Sequence, residues 1–187
     1  TKFDSFGNFV WAKGVGGTGE DYASGISTDS VGNIYATGSF SATADFDPNV
    51  GVLNLVSNGT VDLFIAKLTS SGELSWAKKM GGTGDDEGFD IIVDSDNNVY
   101  TTGIFSDTID IDPGINEAFI SSAGFTDIFV AKLDSNGNFM WADNMGGTHD
   151  DFGVGISRDS NNNIYVTGHY RNTVDFNPTV GIFNMTS

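Results

Sequence analysis

Carboxylate side chains recur at fixed places in this sequence, and their spacing suits the binding of a metal cation. Three Gly-Gly-Thr turns are each followed by two acidic residues. Three other segments place oxygen-bearing side chains at positions i and i+2 before a proline, where an extended backbone puts them on one face. Ca²⁺ prefers carboxylate and carbonyl oxygens in flexible loops. The sequence therefore predicts calcium as a cofactor, with candidate ligands Asp21, Asp86, Asp151, Asp45, Asp47, Asp110, Asp112 and Asp175.

The same acids also have a purely structural interpretation. The second acid after each Gly-Gly-Thr, Asp86 for example, could brace the turn by accepting backbone N–H groups. The Asp-x-Asp-Pro segments could be Asx turns, anchored by the apolar residue between the acids, Phe46 or Ile111. The sequence leaves both interpretations open, and it predicts no catalytic residue.

Other site chemistries fit the sequence poorly. The absence of Cys excludes thiol catalysis and Cys-based zinc or iron–sulfur sites. Residues 14–19 satisfy the dinucleotide-binding pattern G-x-G-x-x-G, but acids and a strand-like segment follow where a helix is required. A calcium β-roll would need its glycine-rich unit about every nine residues. His149 and His169 occur in one repeat only, so we interpret them as surface residues.

The sequence is internally repeated. Trp11, Trp76 and Trp141 follow one another at intervals of 65 residues, and the Gly-Gly-Thr turns and the prolines keep this interval without insertion or deletion. We therefore treat the chain as one repeat domain over residues 1–187. Its units are approximately 1–10 (partial), 11–75, 76–140 and 141–187 (partial). The partial units predict that the chain is a segment of a longer repeat array.

Each repeat has the pattern of short strands joined by tight turns. Residues 62–68 and 74–78 are apolar runs around a polar turn, and residues 88–93 and 99–105 form a second pair of this kind. A fifth short strand is predicted near residues 118–121, within a long loop. No segment has the 3.6-residue periodicity of a helix.

Four antiparallel strands per repeat predict an all-β fold of β-propeller blades, with about three blades as an arc of a larger array. The turn of the second hairpin supports this prediction, because its fourth position holds Gly32, Asn97 or Asn162, and these residue types tolerate positive φ. A β-trefoil or β-prism is the competing architecture.

Four segments resemble a known repeat. They are Gly-Gly-Thr-Gly-Asp-Asp at 81–86, the strand-turn-strand segment 92–103, Asp-Ile-Asp-Pro at 110–113 and Asp-Ile-Phe-Val-Ala-Lys-Leu at 127–133. Together they resemble the SBBP-type β-propeller repeat of bacteria, and the resemblance covers essentially the whole chain. The resemblance implies that the chain belongs to a secreted or surface-attached protein. The resemblance therefore implies an extracellular or cell-surface location.

Two residue types that recur inside the strands are predicted to serve packing. Trp11, Trp76 and Trp141 occupy the same place in each repeat, so we expect them between blades. Lys67 and Lys132 recur inside apolar strands, and we expect each to pair with an aspartate.

The charge of the chain limits its partners. Its 25 acidic residues outnumber 8 Lys and Arg, which gives a formal net charge of -17. Such a chain is repelled by nucleic acid and by anionic membranes. It also lacks the run of roughly 20 apolar residues that a membrane-spanning helix needs. The expected partners are further blades of the same chain, another copy of it, or a protein or glycan ligand.

The preferred function is a non-enzymatic structural or binding module, of adhesion type, in a larger secreted or cell-surface bacterial protein. Every prominent residue recurs with the repeat, so blade architecture explains it without catalysis. The alternative is the scaffold of a polysaccharide-active hydrolase or lyase with carboxylates in a central channel. An enzyme should break the internal symmetry with an acid that is not repeated.

Overall fold

The computed structural model describes residues 1–179 and 181–187, and these residues form antiparallel sheets without a helix. Before the first complete blade the strands are Lys2–Phe3 (β1), Phe9–Trp11 (β2) and Gly16–Gly17 (β3). The next strands are Asp21–Thr28 (β4), Ile34–Phe40 (β5), Thr43–Asp45 (β6), Asn54–Val56 (β7), Asp62–Leu68 (β8) and Leu74–Gly82 (β9). The remainder are Glu87–Val93 (β10), Val99–Asp110 (β11), Phe119–Leu133 (β12), Phe139–Gly147 (β13), Phe152–Arg158 (β14), Ile164–His169 (β15), Thr173–Asp175 (β16) and Asn184–Thr186 (β17).

Two complete blades of four antiparallel strands are present. The first blade has the order β4-β5-β8-β9, and the second has the order β10-β11-β12-β13. The hairpin β1-β2 precedes them, and the hairpin β14-β15 follows them. The predictions of an all-β fold and of propeller blades are confirmed. The 65-residue units are offset from the blades, since the predicted hairpins 62–68/74–78 and 88–93/99–105 belong to successive blades.

Two of the three buried clusters lie between blades, and the third, which contains Phe46 and Phe64, lies on the first blade. Tyr35 and Ile65 of the first blade pack in one buried cluster with Ile91 and Phe129 of the second. A smaller cluster joins Tyr100 of the second blade to Ile156 of the β14-β15 hairpin. Because successive blades bury their facing surfaces against each other, many apolar residues of one repeat are stabilised by the next repeat.

Tryptophan and lysine both reach from one blade to the next. Trp76 donates its indole N–H to the Ser135 carbonyl in the second blade (3.2 Å), so the predicted position between blades is confirmed for Trp76, whereas Trp141 is 36% exposed. The predicted pairing of the strand lysines with aspartate is wrong. Lys67 also donates to the Ser135 carbonyl, and its Nζ lies 5.0 Å from the centre of the Tyr35 ring. A tyrosine face and a carbonyl oxygen attract an ammonium group without a second buried charge.

The hairpin turns are organised by an aspartate at their first position. Asp94 Oδ1 accepts the backbone N–H groups of Asp96 (2.9 Å) and Asn98 (2.8 Å), and its Oδ2 accepts the Asn98 amide and the Tyr100 hydroxyl (3.1 Å). The fourth position has φ of 64° in Asn97, as the sequence predicts. The backbone part of this pattern recurs at Asp4, Asp29, Asp134 and Asp159, whereas Thr69 takes the first position of the β8-β9 turn.

Replacing Asp94 with alanine is expected to lower the free energy of unfolding by about 1–3 kcal/mol, because the buried Tyr100 hydroxyl loses its acceptor along with the turn. Urea denaturation measures the loss. Asp134→Ala is the matched control, since the same turn there has Met140 in place of the tyrosine and should lose less. Equal losses would show that the tyrosine contact contributes nothing.

Candidate functional site

The candidate site is the junction where the chain passes from one blade to the next. At each junction the Gly-Gly step pairs with the strand that carries the first acid of the Asp-x-Asp segment. The paired residues are Gly16 with Asp45, Gly81 with Asp110, and Gly146 with Asp175. The structure thus brings the two predicted acidic motifs of each repeat together.

The acids of the Asp-x-Asp segments hold their own loop. Asp110 Oδ1 accepts the N–H groups of Asp112 (3.1 Å) and Ala118 (2.9 Å), and Asp112 Oδ1 accepts the N–H of Gly114 (2.8 Å). Asp45, Asp47 and Asp175 make the equivalent bonds. Hydrogen bonds from Phe183 and Asn177 lower the pKa of Asp175 below its ordinary value. These are the Asx turns of the structural interpretation.

The acids after the Gly-Gly-Thr turns are braces of the turn. Asp86 accepts the N–H of Gly82 at 2.6 Å, and Asp151 accepts the N–H of Gly147 at 2.8 Å. Both side chains are completely buried, whereas the equivalent Asp21 is partly exposed. Calcium binding by the predicted aspartates stays a prediction. The hydrogen bonds of these side chains already account for their positions.

Two buried acids were missed by the sequence reasoning. Asp62 and Asp127 begin the buried parts of β8 and β12, and neither side chain is exposed to solvent. Each lies directly over the glycine of its junction, because a Cβ atom on Gly81 or Gly146 would collide with the carboxyl group. The only sequence signal is an acid that recurs at the start of an apolar strand.

The buried acids resist ionisation. Burial raises the pKa of Asp86 to about 7, opposed by the Gly82 N–H and assisted by the negative charge of Asp62. Burial also raises the pKa of Asp127 to about 6, opposed by the Ala123 N–H and assisted by Asp151. The junctions at Gly81 and Gly146 therefore each hold one carboxylate from the preceding blade close to one that leads into the next blade.

The acids do not form a dense metal cage. An open cleft in the first repeat is lined by Asp21, Asp45 and Asp47 together with Gly16 and Gly17. Within residues 1–179 and 181–187, however, no three acidic or histidine side chains converge closely enough to hold a metal ion. Any cation would have to take most of its ligands from the backbone or water.

Two acids on strand β10 interrupt the repeat. Glu87 and Asp90 lie on β10, the first strand of its blade. The positions equivalent to Glu87 hold Tyr22 and Phe152, and those equivalent to Asp90 hold Gly25 and Gly155. A register shift between Gly88 and Asp90 places both acids on one face of the strand. Asp90 Oδ2 accepts the N–H of Ile156 in the next blade at 2.9 Å. Asp90 thus braces a blade contact.

Comparison with known proteins supports the repeat assignment. Residues 10–39 and 145–169 match the family described as beta-propeller repeat, SBBP, which confirms the resemblance found in the sequence. An uncharacterized WD repeat-containing protein of Acanthamoeba polyphaga mimivirus is 27% identical over 134 residues, which are 64% of this chain and 9% of that protein. The regulatory protein FlaEY of Caulobacter vibrioides is 29% identical over 104 residues, 54% of this chain and 11% of that protein. The chain spans a small part of both relatives.

A search of the described part of the chain for a helix long and apolar enough to cross a lipid bilayer finds none.

Proposed function

We propose that the chain, two segments of which match the SBBP β-propeller repeat, is a non-enzymatic structural or binding module of a larger extracellular bacterial protein. Its two outer blade faces would stack on further blades of the same chain or of a second copy. Its long acidic loops would remain free to meet a protein or glycan ligand. The extracellular location is proposed from the family resemblance.

The proposal rests on a difference in solvent exposure between equivalent residues of the three repeats. Ile91 and Ile156 are 1% and 6% exposed because a preceding blade covers them, whereas the equivalent Ile26 is 70% exposed. Tyr35 and Tyr100 are 0% and 2% exposed beneath a following blade, whereas the equivalent Tyr165 is 58% exposed.

The two exposed faces are therefore the two halves of one interface that the chain already forms twice within itself. A face that is apolar and matches an existing interface is suited to bury itself against the complementary face. The contact would be head-to-tail, since the leading face around Ile26 and the trailing face around Tyr165 differ.

Sedimentation velocity tests this pairing. We expect the chain to associate in a concentration-dependent way, and we expect Ile26→Arg or Tyr165→Arg alone to be monomeric. A mixture of the two variants should form 1:1 dimers, because each retains the face that the other has lost. Val50→Arg, at an exposed loop position, is the control and should associate like the unchanged chain. A folded chain that stays monomeric at high concentration would contradict the proposal.

The alternative, a polysaccharide-active enzyme, is favoured by one observation, the non-repeated pair Glu87 and Asp90 on strand β10. Burial raises the pKa of Glu87, and Asp85 adds to this effect, as suits a general acid. The bond from Ile156 to Asp90 favours the structural role instead. Glycan turnover that is lost in Glu87→Gln but kept in Asp85→Asn would establish the enzyme.

A further inference from the structure

The blade junctions at Gly81 and Gly146, called the first and the second junction from here on, differ in what neutralises their buried acids. At the first junction, Asp62 accepts the backbone N–H groups of Asn58 (3.0 Å) and Gly59 (3.2 Å). Its Oδ2 also lies 3.3 Å from the Lys79 ammonium group, in the one ion pair found among the described residues. The buried carboxylate therefore has a cation beside it.

The second junction lacks that cation. The position equivalent to Lys79 holds Asn144, and the neighbouring Lys78 is replaced by Asp143. Asp127 keeps one backbone donor, the N–H of Ala123 at 2.9 Å. Its Oδ1 is buried and has no hydrogen-bond partner. Burying a carboxylate oxygen without a partner costs free energy, and a cation beside it would lower that cost.

A second buried carboxylate lies at the same place. Asp151 accepts the N–H of Gly147 at 2.8 Å, and Asp127 lies against the preceding residue, Gly146. Asp151 Oδ1 accepts the N–H of Arg171 (3.0 Å), and each carboxylate oxygen retains a further lone pair. Two acids thus meet the Gly146–Gly147 step from opposite blades, with no basic side chain paired to either.

We propose that the second blade junction binds one Ca²⁺ ion between Asp127 and Asp151, in the role that the Lys79 ammonium group has at the first junction. Two carboxylates balance the charge of a divalent cation. The Asn144 side chain lies beside Asp127, and backbone carbonyls and water would supply the remaining ligands. Ca²⁺ accepts such an irregular set, whereas Mg²⁺ demands near-ideal octahedral geometry and usually keeps several waters.

The proposed ion would fasten the second blade to the third repeat. Asp127 belongs to β12, and Asp151 immediately precedes β14. The Asp151 N–H already donates to the Thr126 carbonyl, so the two strands are in contact there. Ca²⁺ bound to both would stabilise the folded chain in proportion to its concentration.

Isothermal titration calorimetry of the 187-residue chain with CaCl₂, after removal of metal and at constant ionic strength, tests the site. We expect one Ca²⁺ per chain and a rise in melting temperature that NaCl and MgCl₂ do not reproduce. Asn144→Lys should abolish this binding and raise the melting temperature of the metal-free protein, because it installs the lysine of the first junction. Lys79→Asn should create a second binding equivalent.

Asp127→Asn keeps the acceptor for Ala123 and provides a second variant should Asn144→Lys fail to fold. It should lose binding while the far-ultraviolet circular dichroism stays unchanged. Asp112→Asn is the matched control in an exposed loop and should bind like the unchanged chain. The proposal is overturned by a folded chain that shows no calcium binding, by binding that survives in Asp127→Asn, or by loss of binding in Asp112→Asn.

Discussion

Replacing Gly103 with alanine is expected to destabilise the protein by roughly 3 kcal/mol, which is large for the addition of one methyl group. Gly103 lies in β11 opposite Gly88, where the register of β10 shifts. A Cβ atom at Gly103 would overlap the carbonyl oxygen of Glu87 and lie 3.0 Å from the Gly88 Cα. Because these are backbone atoms, the two strands would have to separate.

The internal repeat supplies controls for this experiment. Gly38 and Gly168 occupy the same place, against the carbonyl oxygens of Tyr22 and Phe152. Gly168→Ala should cost less than Gly103→Ala, since it affects an exposed hairpin rather than the central blade. Gly14→Ala should be neutral, as no atom lies within 4 Å of its added Cβ. Urea denaturation monitored by fluorescence measures all three variants. A Gly103→Ala protein as stable as Gly14→Ala would show that the bulge relaxes freely.

The strands and turns could be predicted because their signals are local. Short apolar runs define β8 and β10, and Asp94 with Asn97 defines a turn whose hydrogen bonds span only a few residues. The predicted fifth strand at 118–121 lies at the start of β12. What the periodicity did not reveal is that consecutive hairpins belong to different blades. That division depends on contacts between repeats.

The candidate site was predictable only in part, for the same reason. The spacing of Asp86, Asp110 and Asp112 identified these acids in the sequence. In the structure they accept backbone N–H groups of the loops in which they lie. Asp62 and Asp127 did not stand out, because their burial depends on a glycine that is distant in sequence and leaves space for the carboxyl group. The partner of Lys67 was predicted wrongly, since the Ser135 carbonyl comes from the next blade.

The stability of the protein is expected to fall as the pH rises from about 5 to about 8. The pKa of Asp86 is raised from 3.8 to about 7, chiefly by burial. Between these values the folded state holds a proton that the unfolded chain has released. The stabilising contribution is therefore complete below pH 3.8 and is lost as the pH rises through 7. We expect a loss of roughly 2 kcal/mol in the free energy of unfolding.

Denaturation in urea at a series of pH values, with chelator present to exclude cations, measures this loss. Asp86→Asn mimics the protonated acid, since its amide oxygen still accepts the Gly82 N–H, and should flatten the profile between pH 5 and 8. Asp159→Asn is the control. Hydrogen bonds from Asn163 lower the pKa of Asp159, so that acid contributes stability above its ordinary pKa and loses it only in stronger acid. Burial of Asp86 predicts that this one carboxyl produces most of the pH dependence. If the stability of Asp86→Asn falls as steeply with pH as that of the unchanged chain, other groups cause the dependence and the prediction is wrong.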